Sequence, residues 1–305
     1  MGILYFLCSM KIMYSACPCC SSASIARVLT AKDHTVSQDY FDIWECSTCS
    51  IRFTQAVPDQ DEIGKYYQSE NYISHSDTKK GLINALYHTV RKFTLLRKRN
   101  LIKKYTGIGE GKILDIGCGS GAFLNTMRFS DWEITGLEPD ESARKKAKEV
   151  YGLQIDPSEK LFQLEPKSYD AITMWHVLEH VHKLNDYLDQ LKKLLKPGGK
   201  IFIAVPNYTS YDADKYGKDW AAYDVPRHLY HFSPKAMNGL LTRHGLQLTG
   251  MKPMWYDSFY VSMLSEKYRT GHSNVLRAVW NGYVSNWNAF WDKQKCSSII
   301  YIIRS

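Results

Sequence analysis

The rhythm of hydrophobic and polar positions changes near residue 107 and divides the chain into two kinds of predicted structure. Before it, apolar side chains recur at near-helical spacing from residue 80 to residue 105, with basic side chains between them. This pattern predicts one long amphipathic helix. After it, short apolar runs alternate with helical patterns, which predicts an α/β fold with a doubly wound, mostly parallel sheet.

Seven apolar runs predict the strands of this sheet, and the last two are expected to form an antiparallel pair. The predicted strands cover residues 112–116, 132–137, 153–155, 169–175, 200–205, 247–254 and 297–303. The predicted helices between them cover residues 122–129, 139–151, 184–195 and 233–244. The sequence therefore predicts a Rossmann-like sheet of seven strands.

Three units follow from this organisation. Residues 1–57 are predicted to form a small separate module, residues 58–106 a helical lead-in or lid, and residues 107–305 the α/β domain. A helical insertion is predicted at residues 256–295, before the last strand.

Composition narrows the class of protein. The 305 residues are 44% hydrophobic and 23% charged, which excludes a disordered, collagen-like or membrane-spanning chain. The net charge of +8 permits anionic partners but does not by itself establish nucleic-acid binding. No segment approaches the roughly 18 to 20 uninterrupted apolar residues of a transmembrane helix, so we expect a cytoplasmic protein.

Two Cys-x2-Cys pairs stand in the first fifty residues, Cys17 with Cys20 and Cys46 with Cys49. Two such pairs place four thiolates around one Zn²⁺ in tetrahedral geometry. The segment between them is too small to fold without its ion, so the spacing predicts a structural zinc ribbon. Cys19 is the alternative ligand, and a set of free reduced thiols is the alternative interpretation.

The glycine-rich turn after the first predicted strand carries the candidate chemistry. It reads Leu-Asp-Ile-Gly-Cys-Gly-Ser-Gly from Leu114 to Gly121, and glycines there let the backbone approach a ligand closely. Glu138 ends the second predicted strand, where a carboxylate can accept hydrogen bonds from both ribose hydroxyls of an adenosine ligand. Together, the carboxylates of Asp115 and Glu138 favour a ligand that contains adenosine.

In these motifs, in Trp-His-Val-Leu-Glu-His-Val after the fourth strand and in the turn Leu-Leu-Lys-Pro-Gly-Gly at 194–199, the chain resembles the class I S-adenosylmethionine-dependent methyltransferases. It looks most like the bacterial ubiquinone-biosynthesis branch, some members of which carry an N-terminal zinc ribbon and a Pro-Arg-His motif. The resemblance implies an S-adenosylmethionine cofactor and a seven-stranded sheet. It implies these cofactor-binding residues: Asp115, Gly117, Cys118, Gly119, Gly121, Glu138, Pro139 and His176.

The acceptor side of the site is predicted in the loop after the fifth strand, because open α/β folds bind ligands at the carboxyl edge of the sheet. His228 and His231 are the candidate general bases, and Tyr223 and Arg227 are candidates to orient the acceptor, with Tyr72 as a weaker one. The alternative is that this loop is only a structural brace. The pair Glu179 and His180 fits either a structural cap or a catalytic dyad.

The insertion places aromatic residues near one helical face: Trp280, Tyr283, Trp287, Phe290 and Trp291. This stripe predicts core packing or a homodimer contact, and a surface for an apolar acceptor is the alternative. The favoured function is methyl transfer to oxygen or carbon of a quinone-like, lipid-linked or sugar-nucleotide small molecule. An RNA methyltransferase that docks through the ribbon and the basic helix is the alternative, and a non-catalytic scaffold is the second alternative.

Overall fold

The computed structural model of the chain describes residues 11–68, 82–272 and 274–305. Tyr72, a candidate for binding the acceptor, lies outside these residues. The cysteine-rich module contains five short strands. They are β1 (Lys11–Ile12), β2 (Ile25–Lys32), β3 (Tyr40–Cys46), β4 (Arg52–Thr54) and β5 (Val57–Pro58).

The rest of the chain alternates strands and helices. The strands are β6 (Gly111–Ile116), β7 (Trp132–Leu137), β8 (Tyr169–Trp175), β9 (Leu195–Pro206), β10 (Tyr230–His231), β11 (Gln247–Pro253) and β12 (Ser298–Arg304). The helices are α1 (Leu82–Thr106), α2 (Ala122–Arg128), α3 (Glu141–Tyr151), α4 (Leu184–Leu194), α5 (Tyr211–Tyr216), α6 (Pro234–Arg243), α7 (Asp257–Thr270) and α8 (Val275–Trp291). Short 3₁₀ helices cover Ile63–Tyr67, Ser158–Gln163, Leu178–His180, Gly217–Asp219, Ala221–Tyr223 and Lys293–Lys295.

The central sheet confirms the predicted Rossmann-like α/β fold. Its strand order is β11-β12-β9-β8-β6-β7, with β6 to β9 parallel and β12 antiparallel to both of its neighbours. Helices cover the sheet, so its inner strands are largely buried, and every residue of β12 except Arg304 is buried. The parallel strands end at one edge, where their connections to the following helices form a crevice.

The predicted strand at residues 153–155 is wrong, so the sheet has six strands instead of seven. Only a bridge between Leu137 and Asp156 remains of it. Two backbone hydrogen bonds make this bridge, from Asp156 N–H to Gly136 O and from Glu138 N–H to Asp156 O. Pro157 follows directly and has no N–H to donate, so the ladder stops there and the chain turns into a 3₁₀ helix.

The cysteine-rich module is not a separate body. Its sheet β2-β3-β4 gains a fourth strand, β10, which lies almost 180 residues further along the chain. β10 pairs antiparallel with β4, so Tyr230 lies opposite Phe53 and His231 opposite Arg52. The module therefore packs directly on the loop between β9 and α6, where the sequence predicts the acceptor side of the site.

The predicted helical insertion folds as a hairpin of α7 and α8. At Gly282 the two helices come so close that an added Cβ would lie 2.6 Å from Phe259 Cδ1 and 3.0 Å from Phe259 Cα. The side of α8 that faces the protein is small or polar, and its aromatic residues face outward. Among the described residues, no helix is both long enough and apolar enough to span a lipid bilayer.

The close contact at Gly282 predicts an unusual response to alanine. Gly282→Ala should lower the free energy of unfolding by about 1–3 kcal/mol, because the new methyl group meets Phe259 backbone that cannot swing away. Gly239→Ala in α6 is the matched control: its Cβ meets nothing within 4 Å, so helix propensity should raise stability by up to about 1 kcal/mol. Urea unfolding of both variants measures this, and a stabilised Gly282→Ala protein would contradict the packing described.

Candidate functional site

The glycine-rich turn after β6 has a backbone that other residues do not adopt easily. Gly117 and Gly119 have φ values of 68° and 54°, in the left-handed region. A Cβ at Gly117 would lie 2.4 Å from Cγ2 of Val177, so this position needs glycine for space as well as for φ. Above Gly119, no atom lies within 4 Å of the place of a Cβ. The turn thus presents bare backbone to open space.

Glu138 ties this turn to the end of β7. Its Oε2 accepts the Gly119 N–H at 2.8 Å and its Oε1 accepts the Asp140 N–H at 3.0 Å. A carboxylate oxygen has two lone pairs, so it can accept a second hydrogen bond beside the one from the backbone. The backbone therefore fixes a carboxylate beside the open turn, as the ribose of an adenosine ligand requires.

Two ionisable side chains, Asp115 and Lys98, interact near the same turn. Asp115 is buried and accepts a hydrogen bond from Thr173 at 2.6 Å, and burial raises its pKa. Burial lowers the pKa of Lys98, while the nearby Asp115 and Asp257 carboxylates favour its charged form. The Lys98 ammonium lies 4.2 Å from the centre of the Trp175 ring. Lys98 comes from α1, so the basic lead-in helix supplies a cation to this end of the sheet.

His176 follows β8 and lies between two carboxylates. Its Nε2 is 2.9 Å from Asp257 Oδ2, and its Nδ1 is 3.3 Å from Glu179 Oε1. Burial lowers the pKa of His176, but the Asp257 and Glu179 carboxylates outweigh that effect and raise it to about 10. His176 is therefore an imidazolium that donates toward both. With a φ of 58°, it leaves the strand in a left-handed conformation.

Glu179, His180 and His228 form a buried cluster next to His176. One ligand atom of each lies within 4.8 Å of the others, so this trio could also hold a metal ion. His180 Nδ1 lies 3.0 Å from the Arg227 carbonyl, and His228 Nδ1 lies 2.8 Å from the Ala222 carbonyl. A ring nitrogen that faces a carbonyl must carry a hydrogen, so Nδ1 is the donor atom in both rings.

Charge in this cluster is unevenly distributed. Burial lowers the pKa of His180 to about 4, helped by His228, so His180 is neutral near pH 7. Burial raises the pKa of Glu179, but the histidines around it lower the pKa by more, so the carboxylate stays ionised. The described residues offer its oxygens no well-aligned hydrogen bond. A buried, ionised and under-satisfied carboxylate at a sheet edge is typical of a functional site.

Arg227 is buried and its guanidinium binds groups of the protein. It donates to Asp33 at 3.1 Å, to both oxygens of Asp224, and to the Tyr66 carbonyl at 2.9 Å. Burial raises the pKa of Asp33, but the N–H groups of Ser37 and Thr35 and the Arg227 guanidinium together lower it to about 2. The sequence predicts that Arg227 orients the acceptor, and the structure places it between the module and the loop.

His231 and Tyr223, the other candidates in this loop, also face the module. Thr54 Oγ1 donates to the His228 carbonyl at 2.7 Å, so its contact with His231 Nε2 at 3.1 Å needs the proton on the histidine. Burial holds the pKa of His231 well below its usual value. Tyr223 accepts a hydrogen bond from Arg52 at 3.1 Å. Of the two predicted bases, only His228 lies in the cluster with Glu179.

The four predicted zinc ligands come together in the module. The sulfurs of Cys17 and Cys49 lie 3.6 Å apart, and those of Cys20 and Cys46 are also 3.6 Å apart. All four sulfurs lie within 4.8 Å of one another. Four sulfurs at about 2.3 Å from one Zn²⁺ would stand about 3.8 Å apart, so the spacing fits the ion. The described cysteines are free thiols. Cys19 stands outside this set and accepts a hydrogen bond from Arg243 at 3.4 Å.

Sequence reasoning missed three residues of this site. Lys98 appears in the sequence only as one base among many in a charged helix, and nothing distinguishes it from its neighbours. Asp257 opens the insertion 81 residues after its partner His176. Tyr67, whose hydroxyl lies 3.0 Å from His180 Nδ1, belongs to the short polar segment before α1. Each of them joins the site through long-range packing that no local motif signals.

Comparisons with known proteins agree with this geometry. A family model described as a methyltransferase domain matches residues 88–250, which is more than half of the chain. A ubiquinone biosynthesis O-methyltransferase of Vibrio atlanticus is 29% identical over 190 residues, covering 58% of this chain and 78% of the relative. The enzyme of that name from Nitrosococcus oceani is 29% identical over 184 residues, covering 56% and 75%.

One solved structure to which the chain is matched is a SAM dependent methyltransferase from Archaeoglobus fulgidus. The two chains are 20% identical, with a TM-score of 0.47. The match covers 74% of this chain and 100% of the other.

Proposed function

Because the chain belongs to the methyltransferase-domain family and is an S-adenosylmethionine-dependent enzyme, we propose that it methylates a hydroxyl oxygen on the ring of a quinol-like small molecule. One observation carries the proposal. A line of ionisable groups leads from the cofactor turn to the loop histidine, through Asp115, Lys98, Asp257, His176, Glu179, His180 and His228. The proposed cofactor-binding residues and the proposed general base thus lie at the same edge of the sheet.

The residues around the glycine turn fit the cofactor. Glu138 offers two fixed carboxylate oxygens to the ribose hydroxyls, and the bare backbone at Gly119 leaves room beside them. The Lys98 ammonium would attract the cofactor's carboxylate, and the Asp115 carboxylate would attract its ammonium group. When bound, S-adenosylmethionine supplies a methyl group on a positively charged sulfur, a leaving group that is already activated.

The acceptor side must align a hydroxyl and remove its proton. We assign the proton to His228 Nε2, because the Ala222 carbonyl holds the opposite nitrogen as the donor. The ionised Glu179 carboxylate stabilises the imidazolium that forms, and neutral His180 packs edge-on against His228 with ring centres 4.6 Å apart. Arg227, Tyr223 and His231 then brace the loop.

This proposal favours a small hydroxylated ring over the other predicted acceptors. Both curated relatives carry the name of an O-methyltransferase, and the buried cluster is suited to one compact acid–base step. An RNA substrate, a scaffold role and a cytoplasmic location stay predictions.

We also propose that the four-cysteine cluster holds a structural Zn²⁺. The sulfur spacing and the absence of disulfides among the described cysteines support this. The ion would connect the loop before β2 to the end of β3 and the loop after it. It would therefore keep β4 in place to pair with β10.

Cofactor binding tests the first part of the proposal. Glu138→Gln should weaken S-adenosylmethionine binding at least tenfold, because an amide offers one acceptor oxygen where the ribose needs two and the Asp140 and Gly119 N–H groups compete for it. Glu141→Gln, on the exposed start of α3, is the matched control and should bind like wild type. Calorimetric titration measures both, and equal affinity for the two variants would refute the ribose assignment.

Turnover tests the proton assignment. His228→Gln should lower kcat by about 10²- to 10⁴-fold, because the amide cannot take the acceptor proton. Cofactor affinity should stay unchanged. His244→Gln is the control, since His244 pairs with Asp189 between α4 and α6 and not in the cluster. Transfer of labelled methyl to a catechol-type acceptor measures the rate, and full activity of His228→Gln would exclude it as the base.

Metal analysis tests the zinc proposal. The purified chain should contain about one zinc per molecule, and Cys20→Ser should lose it together with thermal stability, because a serine hydroxyl is a poor zinc ligand. Cys19→Ser is the matched control and should keep the ion. The opposite pattern, with zinc lost only in Cys19→Ser, would overturn the assigned ligand set.

A further inference from the structure

α8 carries a continuous apolar stripe on its outward face. We call the α8 stripe these six residues, whose exposed fractions lie between 52% and 85%: Leu276, Trp280, Tyr283, Trp287, Phe290 and Trp291. Successive rings of Trp280, Tyr283, Trp287 and Phe290 stack with centres 6.1 to 6.5 Å apart. At about 1.5 Å per residue the stripe runs about 22 Å, the length of the helix. A patch of this size on a protein surface marks a contact with a partner.

The inward face of α8 fixes the stripe in its outward position. Asn281 donates to the Tyr216 hydroxyl at 2.8 Å and to Glu266 at 2.9 Å, and both contacts are buried. Ser285 donates to buried Asp212 at 2.8 Å, and Gly282 admits the α7 backbone. Rotating the helix to bury the aromatic residues would break all of these contacts. The outward stripe is therefore specified by the fold.

We propose that the α8 stripe docks this protein on the headgroup region of a membrane that contains anionic lipid. Three of its six residues are tryptophan and one is tyrosine, the side chains that concentrate at the boundary between headgroups and acyl chains. Their rings sit in the apolar layer while their N–H and O–H groups reach the wet one.

Charge on the α7–α8 hairpin selects the partner. Exposed basic residues frame the stripe at both ends: Lys267, Arg269, Arg277, Lys293 and Lys295. Of the three acidic residues between 257 and 295, Glu266 is buried, Asp257 is paired with His176, and only Asp292 is exposed. This positive frame suits an anionic lipid surface. It disfavours contact with a second copy of the chain, because two stripes packed together would bring their basic ends against each other.

The hairpin also links the membrane to the site. α7 begins at Asp257, whose Oδ2 lies 2.9 Å from His176 Nε2. A protein docked through α8 would take its acceptor from the lipid phase, so the ring of the acceptor would carry an apolar tail. This last step rests on the proposed function, whereas the docking itself does not.

Vesicle binding of the full chain tests the proposal. The wild-type protein should sediment with phosphatidylcholine vesicles that contain about 30% phosphatidylglycerol, which gives them a clearly negative surface. Its tryptophan emission should shift to shorter wavelength on binding. The variant Trp280→Ser/Trp287→Ser/Phe290→Ser should bind at least tenfold more weakly. The matched control is Phe129→Ser, which removes an exposed aromatic residue from α2's C-terminal end and should bind like wild type.

Two results would overturn the proposal. One is equal vesicle binding by the triple variant and the wild type. The other is a wild-type protein that forms a dimer and does not bind vesicles, together with a triple variant that is a monomer, as measured by sedimentation velocity. That result would assign the stripe to contact with a second copy of the chain. Thermal unfolding checks that the variant is folded. Methyl transfer to a water-soluble catechol should survive in the variant, so failure of the methyltransferase proposal is seen separately from failure of docking.

Discussion

The guanidinium of buried Arg227 joins three parts of the chain that are far apart in sequence. It binds Asp33 of the cysteine-rich module, Asp224 of its own loop and the Tyr66 carbonyl of the segment before α1. The buried Asp33 carboxylate and the partly buried Asp224 carboxylate are stable here because they share this cation, and removal of one partner of such a buried group costs about 3–5 kcal/mol. The pairing of β4 with β10 adds a ladder beside it. The module and the loop are thus one unit.

This unit determines what the sheet edge can do. At the cofactor end, the glycine turn and Glu138 come from neighbouring segments of the chain, whereas Lys98 comes from α1. The acceptor end depends on the loop, because His228 reaches Glu179 and His180 only while Arg227 and Thr54 hold its backbone. In this account the zinc ribbon acts at a distance: it supports β4, β4 supports β10, and the loop before β10 carries the histidine. The proposed ion and the proposed general base would then be coupled through two strand pairings.

Much of this organisation could be predicted from the sequence, because some signals are local. The spacing of the glycines, of Glu138 and of the four cysteines predicts which of these residues lie together, and Ser233 at the start of the predicted helix 233–244 caps α6 by accepting the Ala236 N–H. Other features depend on tertiary packing. The third predicted strand, at residues 153–155, does not form because Pro157 follows shortly after it. No pattern in the sequence shows that β10 completes the sheet of the cysteine-rich module. The sequence predicts that the aromatic residues of α8 share one helical face, but the prediction that this stripe packs in the core is wrong, because its residues are exposed. A homodimer contact stays a prediction.

The most direct test of the account is the effect of Arg227→Met on hydrogen exchange in the loop from residue 224 to residue 232. The account predicts faster exchange across this loop and in β4, an unfolding free energy lower by about 3–5 kcal/mol, and unchanged exchange in β6 and β7. Arg269→Met, at an exposed position of α7, is the control and should change none of these. Unchanged loop protection in Arg227→Met would contradict the claim that this buried arginine holds the module and the acceptor loop together.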